Sequence, residues 1–505
     1  LEAKFVAANT LIGLHNQTNL FVTDDIKRMQ DEMKVAKHKI FGAKTVKTKR
    51  KYKEFVAQLR IQMVEELKRL RAVSDEDHLM LLDWDMFDQN KAAKFFDPNW
   101  MFGVDGGFDI VIGNPPYGII NKKQNKGGSI SVSEDVLVQY KGSEKYAPAQ
   151  GGMLNIFRLF IVQSVYLLKK QGVFSEIFPL AFACDVSASK LRIFVQNTCT
   201  IISFEAFPER DNPKKRVFEN AKMSVCILTM YNIKSFDAEY TVRINKDKFV
   251  DKSIVPGSLS YSDVMKMDGR YYTIPLSSNE DLQILKKIFR HSVPFIHYGK
   301  CNTGEIDMTF CKNAFTVDDS DSRMIRGANI DRYIIKTTIS QGENLFLNEV
   351  RLKAIKEIGK DLFYSQRIVM QGITGINEKT RLKMSISSKA YCANSVNYLT
   401  LNDENRSFYF LGLLNSKLLN YIFKQFSTNS NVNGYEVDNL PIILAESEKI
   451  DRLSTEAFTD KMNGYDSSTK EHSIDLEVYH IYGLTYDEIL IVDPETPITR
   501  EEYEA

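Results

Sequence analysis

The chain has 505 residues, 43% of them hydrophobic and 26% charged, with a formal net charge of +1. That length is too great for one hydrophobic core and predicts two or three domains, and the composition is that of a soluble globular protein. No apolar run reaches the roughly 18 residues a bilayer span needs, and no signal peptide is visible.

The first ten residues place a short buried strand at Lys4 to Ala8, closed by Asn9 and Thr10. The chain opens on Leu1 and runs at once into this strand, so it reads as the later part of a longer protein. From Asp24 to Arg71 there are fifteen Lys/Arg against seven Asp/Glu, a local excess that suits a polyanion or a solvated helical face. Asp24 to about Ser74 contains one glycine and no proline, and its spacing predicts two helices inserted into a larger fold.

The aromatic stretch Leu82 to Gly103 precedes a strand at Phe108 to Ile112. Asn121 to Gln150 is polar and reads as a loop, and Met153 to Lys170 as an amphipathic helix. Ser189 to Asn197 resembles another helix, and strands are expected at Thr200 to Phe207 and within Ala221 to Asn232. Alternating strands and helices predict a parallel α/β sheet, with the last strand pair a candidate antiparallel edge. After about Ser235 short strands and loops dominate, up to a helix near Phe408 to Phe426. The predicted division is residues 1–235 (with the basic helical insertion at 24–74), 236–445, and a helical tail at 446–505. The six cysteines, Cys184, Cys199, Cys226, Cys301, Cys311 and Cys392, form no Cys-x-x-Cys pair or ligand ladder with histidine. Reduced thiols in a cytoplasmic protein without a metal site are expected.

The stretch Phe108 to Gly118, "FDIVIGNPPYG", carries the chemistry. A buried strand ends on Asn114, Pro115, Pro116 and Tyr117, and the carboxyl end of a strand is where open α/β sheets place their sites. Proline fixes φ and lacks an N–H, which stiffens the turn. The Asn114 amide oxygen and the Pro115 carbonyl can then accept from the two hydrogens of one planar amino group, while Tyr117 offers a ring face. An aromatic amine is a weak nucleophile because its lone pair is delocalised. Two acceptors on its hydrogens localise charge on nitrogen and aim it at an electrophilic methyl, by positioning and electrostatics without a metal.

On these residues the chain resembles the gamma-class adenine-specific DNA methyltransferases, and more closely the methyltransferase-plus-specificity portion of type IIG restriction–modification enzymes. "FVAANTLIGL", "FFDPNWMFGVDGGFDIVIGNPPYG" and "LEVYHIYGLTYDEI" carry the likeness over nearly the whole chain. The resemblance implies an incomplete Rossmann-like methyltransferase sheet with a helical insertion, then a mixed α+β target-recognition domain. It implies S-adenosylmethionine as methyl donor, double-stranded DNA as partner, and an adenine flipped from the duplex. Position by position it makes Asn114, Pro115 and Tyr117 the catalytic block and places Pro116 beside the cofactor. It puts Asn9 near the cofactor's adenine, although Asn9 also reads as a turn residue. Phe218 in "RVFENAKMSV" matches the second ring that stacks on the base, with Phe207 a competitor. Arg326, Arg367, Gln371, Arg381 and Lys383 are candidates for phosphate or base-edge contacts. The family's glycine-rich cofactor loop, the acidic ribose partner and the nuclease domain are absent, and the resemblance implies that they lie upstream of Leu1. Two rival readings stand beside this one: a DNA-specificity fragment without catalysis, and a protein-glutamine methyltransferase.

Overall fold

The computed structural model describes residues 5–14, 23–88, 90–121, 130–339, 344–446 and 448–505. The chain divides into two compact units. One comprises Leu1–Phe178, Ile193–Ile202 and Ile227–Ser235; the other comprises Pro179–Arg192, Ser203–Cys226 and Phe236–Ala505.

The first unit opens with the expected helical hairpin, α1 (Asp24–Gly42) and α2 (Val46–Arg69). Thr23 and Thr45 cap the two helices, accepting from Ile26 N at 3.4 Å and Thr48 N at 3.1 Å, which satisfies amide groups that a helix start leaves without a partner. One face of the pair packs with Trp84, Phe95 and Met101 into a core containing Ile26, Met33, Val56, Leu59 and Met63. The basic residues Lys44, Lys47, Arg50 and Lys51 remain exposed.

The strand expected at Lys4 to Ala8 is not formed. Lys4 lies outside the described residues, Phe5 is 62% exposed, and among the described residues the only strand-type pairing of this segment is an isolated bridge from Ala8 to Ala93. The loop expected at 121–150 is largely helical where described. Residues 122–129 lie outside the description, then α3 covers Glu134–Gly142, with Ser133 accepting from Val136 N. Leu137 and Tyr140, three apart on one face, are buried and hold this helix down.

Helix α4 (Ile156–Leu167) is shorter than the predicted 153–170 and buried on nearly all sides, because the chain enters strand β2 (Leu168–Pro179) directly at its end. Strand β1 (Phe108–Gly113) lies parallel to β2, with Ile110 opposite Val173, Val111 opposite Phe174 and Gly113 opposite Glu176. Gly107 makes this approach possible. Its φ is +96°, and a Cβ there would stand 2.8 Å from the Leu167 carbonyl oxygen.

Helix α5 (Ser189–Thr198) and strands β3 (Thr200–Phe207) and β4 (Val225–Tyr231) fall where the sequence places them. Two more strands, β5 (Glu239–Ile244) and β6 (Gly257–Ser260), continue the sheet beyond Ser235. The order is β1-β2-β4-β3-β5-β6. The β1–β2 and β3–β5 pairs are parallel, and the antiparallel edge is β5 with β6. The expected edge pair, β3 and β4, is therefore interior. This is a mixed α/β sheet with parallel strands.

Strand β1 is the first of the order and pairs, among the described residues, with β2 alone. Ile110 and Ile112 are 65% and 80% exposed, an unusual state for a parallel strand, which is ordinarily covered on both faces.

The second unit continues into β-rich structure. Strands β7 (Gly299–Thr303), β8 (Arg367–Gln371), β9 (Met384–Ser387) and β10 (Val396–Leu401) form an antiparallel sheet in the order β7-β10-β8-β9. The tail is helical, with Lys449–Met462, Ser468–Ile481, Tyr486–Val492 and Arg500–Glu504. Among the described residues no helix is long and apolar enough to cross a membrane.

Candidate active site

The four-residue corner stands at the carboxyl end of β1. Asn114 and Pro116 are exposed, Pro115 is buried and Tyr117 is half-buried. The corner is fixed from two sides. Gly118, at φ +144°, donates its N–H to Asn155 Oδ1 at 3.3 Å and accepts from Ile156 N at 3.0 Å, which ties the loop to the start of α4. On the other side the Tyr117 hydroxyl donates to Asn114 Oδ1 at 2.7 Å and lies 2.9 Å from the Ile177 carbonyl oxygen on β2.

A phenol has one proton, and here it faces two acceptors. A half-turn of the Asn114 carboxamide satisfies both: its NH2 then donates to the Tyr117 oxygen, and the Tyr117 proton goes to Ile177. In that arrangement the Asn114 carbonyl oxygen is free to accept from outside the protein. The phenol hydroxyl thus couples the strand backbone to the direction of the amide.

Behind the corner sits Glu176. Its carboxyl is 4% exposed, between the fully buried Phe174 and Phe178 on the same face of β2. Ser164 Oγ on α4 donates to Oε1 at 2.6 Å, while Oε2 has no partner among the described residues. Burial pushes the pKa up to about 7, and the Ser164 hydrogen bond opposes the rise. Gly113 leaves room for the group, since a Cβ there would stand 3.1 Å from Glu176 Oε1.

Asn9 follows the Ala8–Ala93 bridge. Its Oδ1 accepts from Leu11 N at 3.3 Å and from the Tyr140 hydroxyl at 3.4 Å, the first being the geometry of a turn residue. Asn9 and Pro116 alone do not make a cradle for S-adenosylmethionine.

In the second unit Phe218 is half-exposed on the loop between β3 and β4, whereas Phe207 is 4% exposed within β3. Arg216 braces this loop, donating to the carbonyls of Arg210 and Glu219, both at 3.1 Å. The same loop forms one wall of an open cleft of about 860 Å³. The lining carries Arg210, Lys215, Lys222, Lys246, Arg381 and Lys424 against Asp185, Glu209 and Asp211. All three carboxylates already have protein donors: Thr428, backbone amides of the Glu209 turn, and Lys222 respectively. The cleft is left with a positive balance.

The five candidates for nucleic-acid contact separate by burial. Arg326, Gln371 and Lys383 are half-exposed. Arg367 is 4% exposed; it pairs with Glu305 at 3.1 Å, donates to Ala390 O at 2.7 Å and lies over the Tyr398 ring. Arg381 is 1% exposed and donates to Thr374 Oγ1, Ser427 Oγ and the carbonyls of Asn429 and Asn431. The structure gives these two guanidinium groups to the fold itself, since a buried arginine needs internal acceptors, although Arg367 Nε has no partner among the described residues. The sequence reading also passed over Asn155, Glu176 and Arg216. The alternation Phe174, Glu176, Phe178 and the position of Asn155 before an apolar helix were the available signals for the first two; a lone Arg216 in a polar turn offered none.

Residues 19–212 match the family model described as Eco57I restriction-modification methylase, and residues 322–442 match that of the TaqI-like C-terminal specificity domain. A Methanocaldococcus jannaschii protein provisionally named as a type II restriction enzyme and methyltransferase is 25% identical over 413 residues. The match covers 76% of this chain but 32% of that protein, so the chain spans about a third of its curated relative. Among structures, the type IIL restriction-modification enzyme MmeI in complex with DNA is 12% identical, with 89% of this chain and 65% of that one covered, at a TM-score of 0.46. The type IIG restriction endonuclease BpuSI is also 12% identical, with 94% and 66% covered, at a TM-score of 0.31. The chain is thus similar to an Eco57I-type restriction-modification methylase over residues 19–212 and to a TaqI-like C-terminal specificity domain over residues 322–442.

Proposed function

We propose that this chain is the base-holding and DNA-reading part of a site-specific DNA methyltransferase in a restriction–modification system, acting on the exocyclic amine of an adenine lifted out of the duplex. One observation carries the reading: a rigid strand-end corner presents the Asn114 amide to solvent while Tyr117 is held by the backbone of the neighbouring strand. S-adenosylmethionine, when bound, supplies an electrophilic methyl group. The chain's own residues do the rest. Asn114 Oδ1 and the Pro115 carbonyl accept from the two amine hydrogens, which directs the nitrogen lone pair away from the ring plane. Tyr117 offers a stacking face. The basic cleft and the exposed lysines of α1 and α2 suit a phosphate backbone.

The test is tritium transfer from labelled S-adenosylmethionine to duplex DNA by the full-length parent protein. Asn114→Ala should lower the rate roughly 10²–10³-fold, the cost of removing one aimed donor or acceptor, with an unchanged circular-dichroism spectrum. Wild-type rates would remove Asn114 from the mechanism. A second reading, a specificity fragment without catalysis, is favoured by the exposed edge of β1, beside which the methylase sheet holds no further strand among the described residues. Calorimetric binding of S-adenosylmethionine to the 505-residue chain in the micromolar range would exclude it.

A further inference from the structure

The loop that follows β8 has more bracing than a connecting loop needs. Gly372 N donates to Ser395 O at 2.9 Å, Thr374 N to Ser430 O at 2.9 Å, and Val432 N to Gly372 O at 2.9 Å. Buried Arg381 closes its far end through Thr374, Asn429 and Asn431, and Asn420 holds both Lys379 O and Arg381 N. Out of this frame stands a single tight turn, Gly375 to Glu378, closed by Glu378 N to Gly375 O at 3.0 Å. Its two central residues, Ile376 and Asn377, line the basic cleft.

Asparagine suits such a position, but isoleucine does not. β-Branched side chains are poor in tight turns and gain nothing from standing at a polar wall. Ile373, at the base of the same loop, is 55% exposed. Ile376 is half-buried at the cleft wall, so part of its side chain packs within the fold and the remainder faces the cleft. The cleft's excess of lysine and arginine points to a polyanion, and an apolar tip on a rigid support amid such charge fits a duplex whose stack has been opened.

We propose that the turn Gly375–Glu378 is a wedge for duplex DNA, with Ile376 entering the space that an extruded base leaves in the stack. This rests on the DNA-methyltransferase reading and adds a positioning residue to it. Ile376 takes no part in methyl transfer. It fills the gap with apolar surface and so offsets part of the stacking lost when the base leaves.

A wedge of this kind prefers DNA in which the gap already exists, whatever the recognised sequence. The probe is a short mixed-sequence duplex, intact or carrying one tetrahydrofuran abasic residue, with binding to the 505-residue chain read by fluorescence anisotropy at low salt. The wild-type chain should bind the abasic duplex about tenfold more tightly than the intact one. Ile376→Ala should lose that preference while keeping its affinity for intact duplex, and Ile376→Met, which restores apolar bulk, should recover it. Equal binding of both duplexes by the wild-type chain, or an undiminished preference in the alanine variant, overturns the wedge and leaves the DNA reading standing. Binding to neither duplex overturns the DNA reading and the wedge with it.

Discussion

Glu176→Gln is the perturbation with the most defined consequence. Glutamine keeps the shape and the acceptor for Ser164 but does not ionise. The rise of the carboxyl from its ordinary 4.5 to about 7 corresponds to about 3 kcal/mol at roughly 1.4 kcal/mol for each tenfold change in proton affinity. The sign follows from proton binding. Between the two values the folded protein holds a proton that the unfolded chain has lost, so stability falls as pH rises through that window, and the full penalty is present above pH 7. Glutamine has no such penalty. Urea unfolding of both proteins at about pH 5 and about pH 8 should show the variant gaining on the wild type by up to about 3 kcal/mol between the two conditions. Comparing the change with pH cancels the amide's own burial cost, which is the same at both. A difference between the proteins that stays constant with pH would show that the carboxyl ionises normally in the fold and would refute the argument.

Tyr117→Phe keeps the stacking ring and removes the hydroxyl that links Asn114 to Ile177. Loss of about 1 kcal/mol of orientation should reduce kcat roughly fivefold to tenfold in tritium transfer by the full-length parent, with little change in KM. Arg381→Met should lower the urea midpoint by the equivalent of about 3 kcal/mol, since the backbone and hydroxyl acceptors it serves are left buried. Arg326→Ala should weaken DNA binding, with a slope of log K against log salt shallower by about one. Replacing the exposed Lys44, Lys47 and Lys51 together by glutamine should flatten that slope by up to about three if the hairpin grips phosphates, and an unchanged slope would confine α1 and α2 to a structural role. Gly113→Ala should destabilise the protein by about 1 kcal/mol, because the new methyl crowds the Glu176 carboxyl, and Glu176→Ala in the same chain should relieve it.

The corner at Asn114 was legible because its signal is local: an apolar run broken by residues that cannot extend it. The helical hairpin and β3 were legible for the same reason, through a period of 3.6 or a continuous run. What escaped depends on neighbours distant in sequence. Arg367 and Arg381 look like any surface arginine until Glu305 and the 427–431 segment surround them. Near Ala8 the described residues make a single bridge, to Ala93, so no ladder forms, although Val6 and Ala8 pack against the core of the helical hairpin. The sheet runs past Ser235 because β5 pairs with β3, a strand separated from it in sequence by the whole of β4 and its flanking loops.

Among the described residues one rim of β1 has no partner strand, which bears on how the protein behaves in the tube. A straight row of peptide groups flanked by Ile110 and Ile112 is a template on which another polypeptide can lay itself down. The one carboxylate on that strand, Asp109, is already engaged by Lys169, so little charge repels an approaching copy. Concentrated samples should therefore grow turbid through this rim. Ile112→Lys would act as a gatekeeper there, leaving the Asn114–Tyr117 corner and the cleft in place.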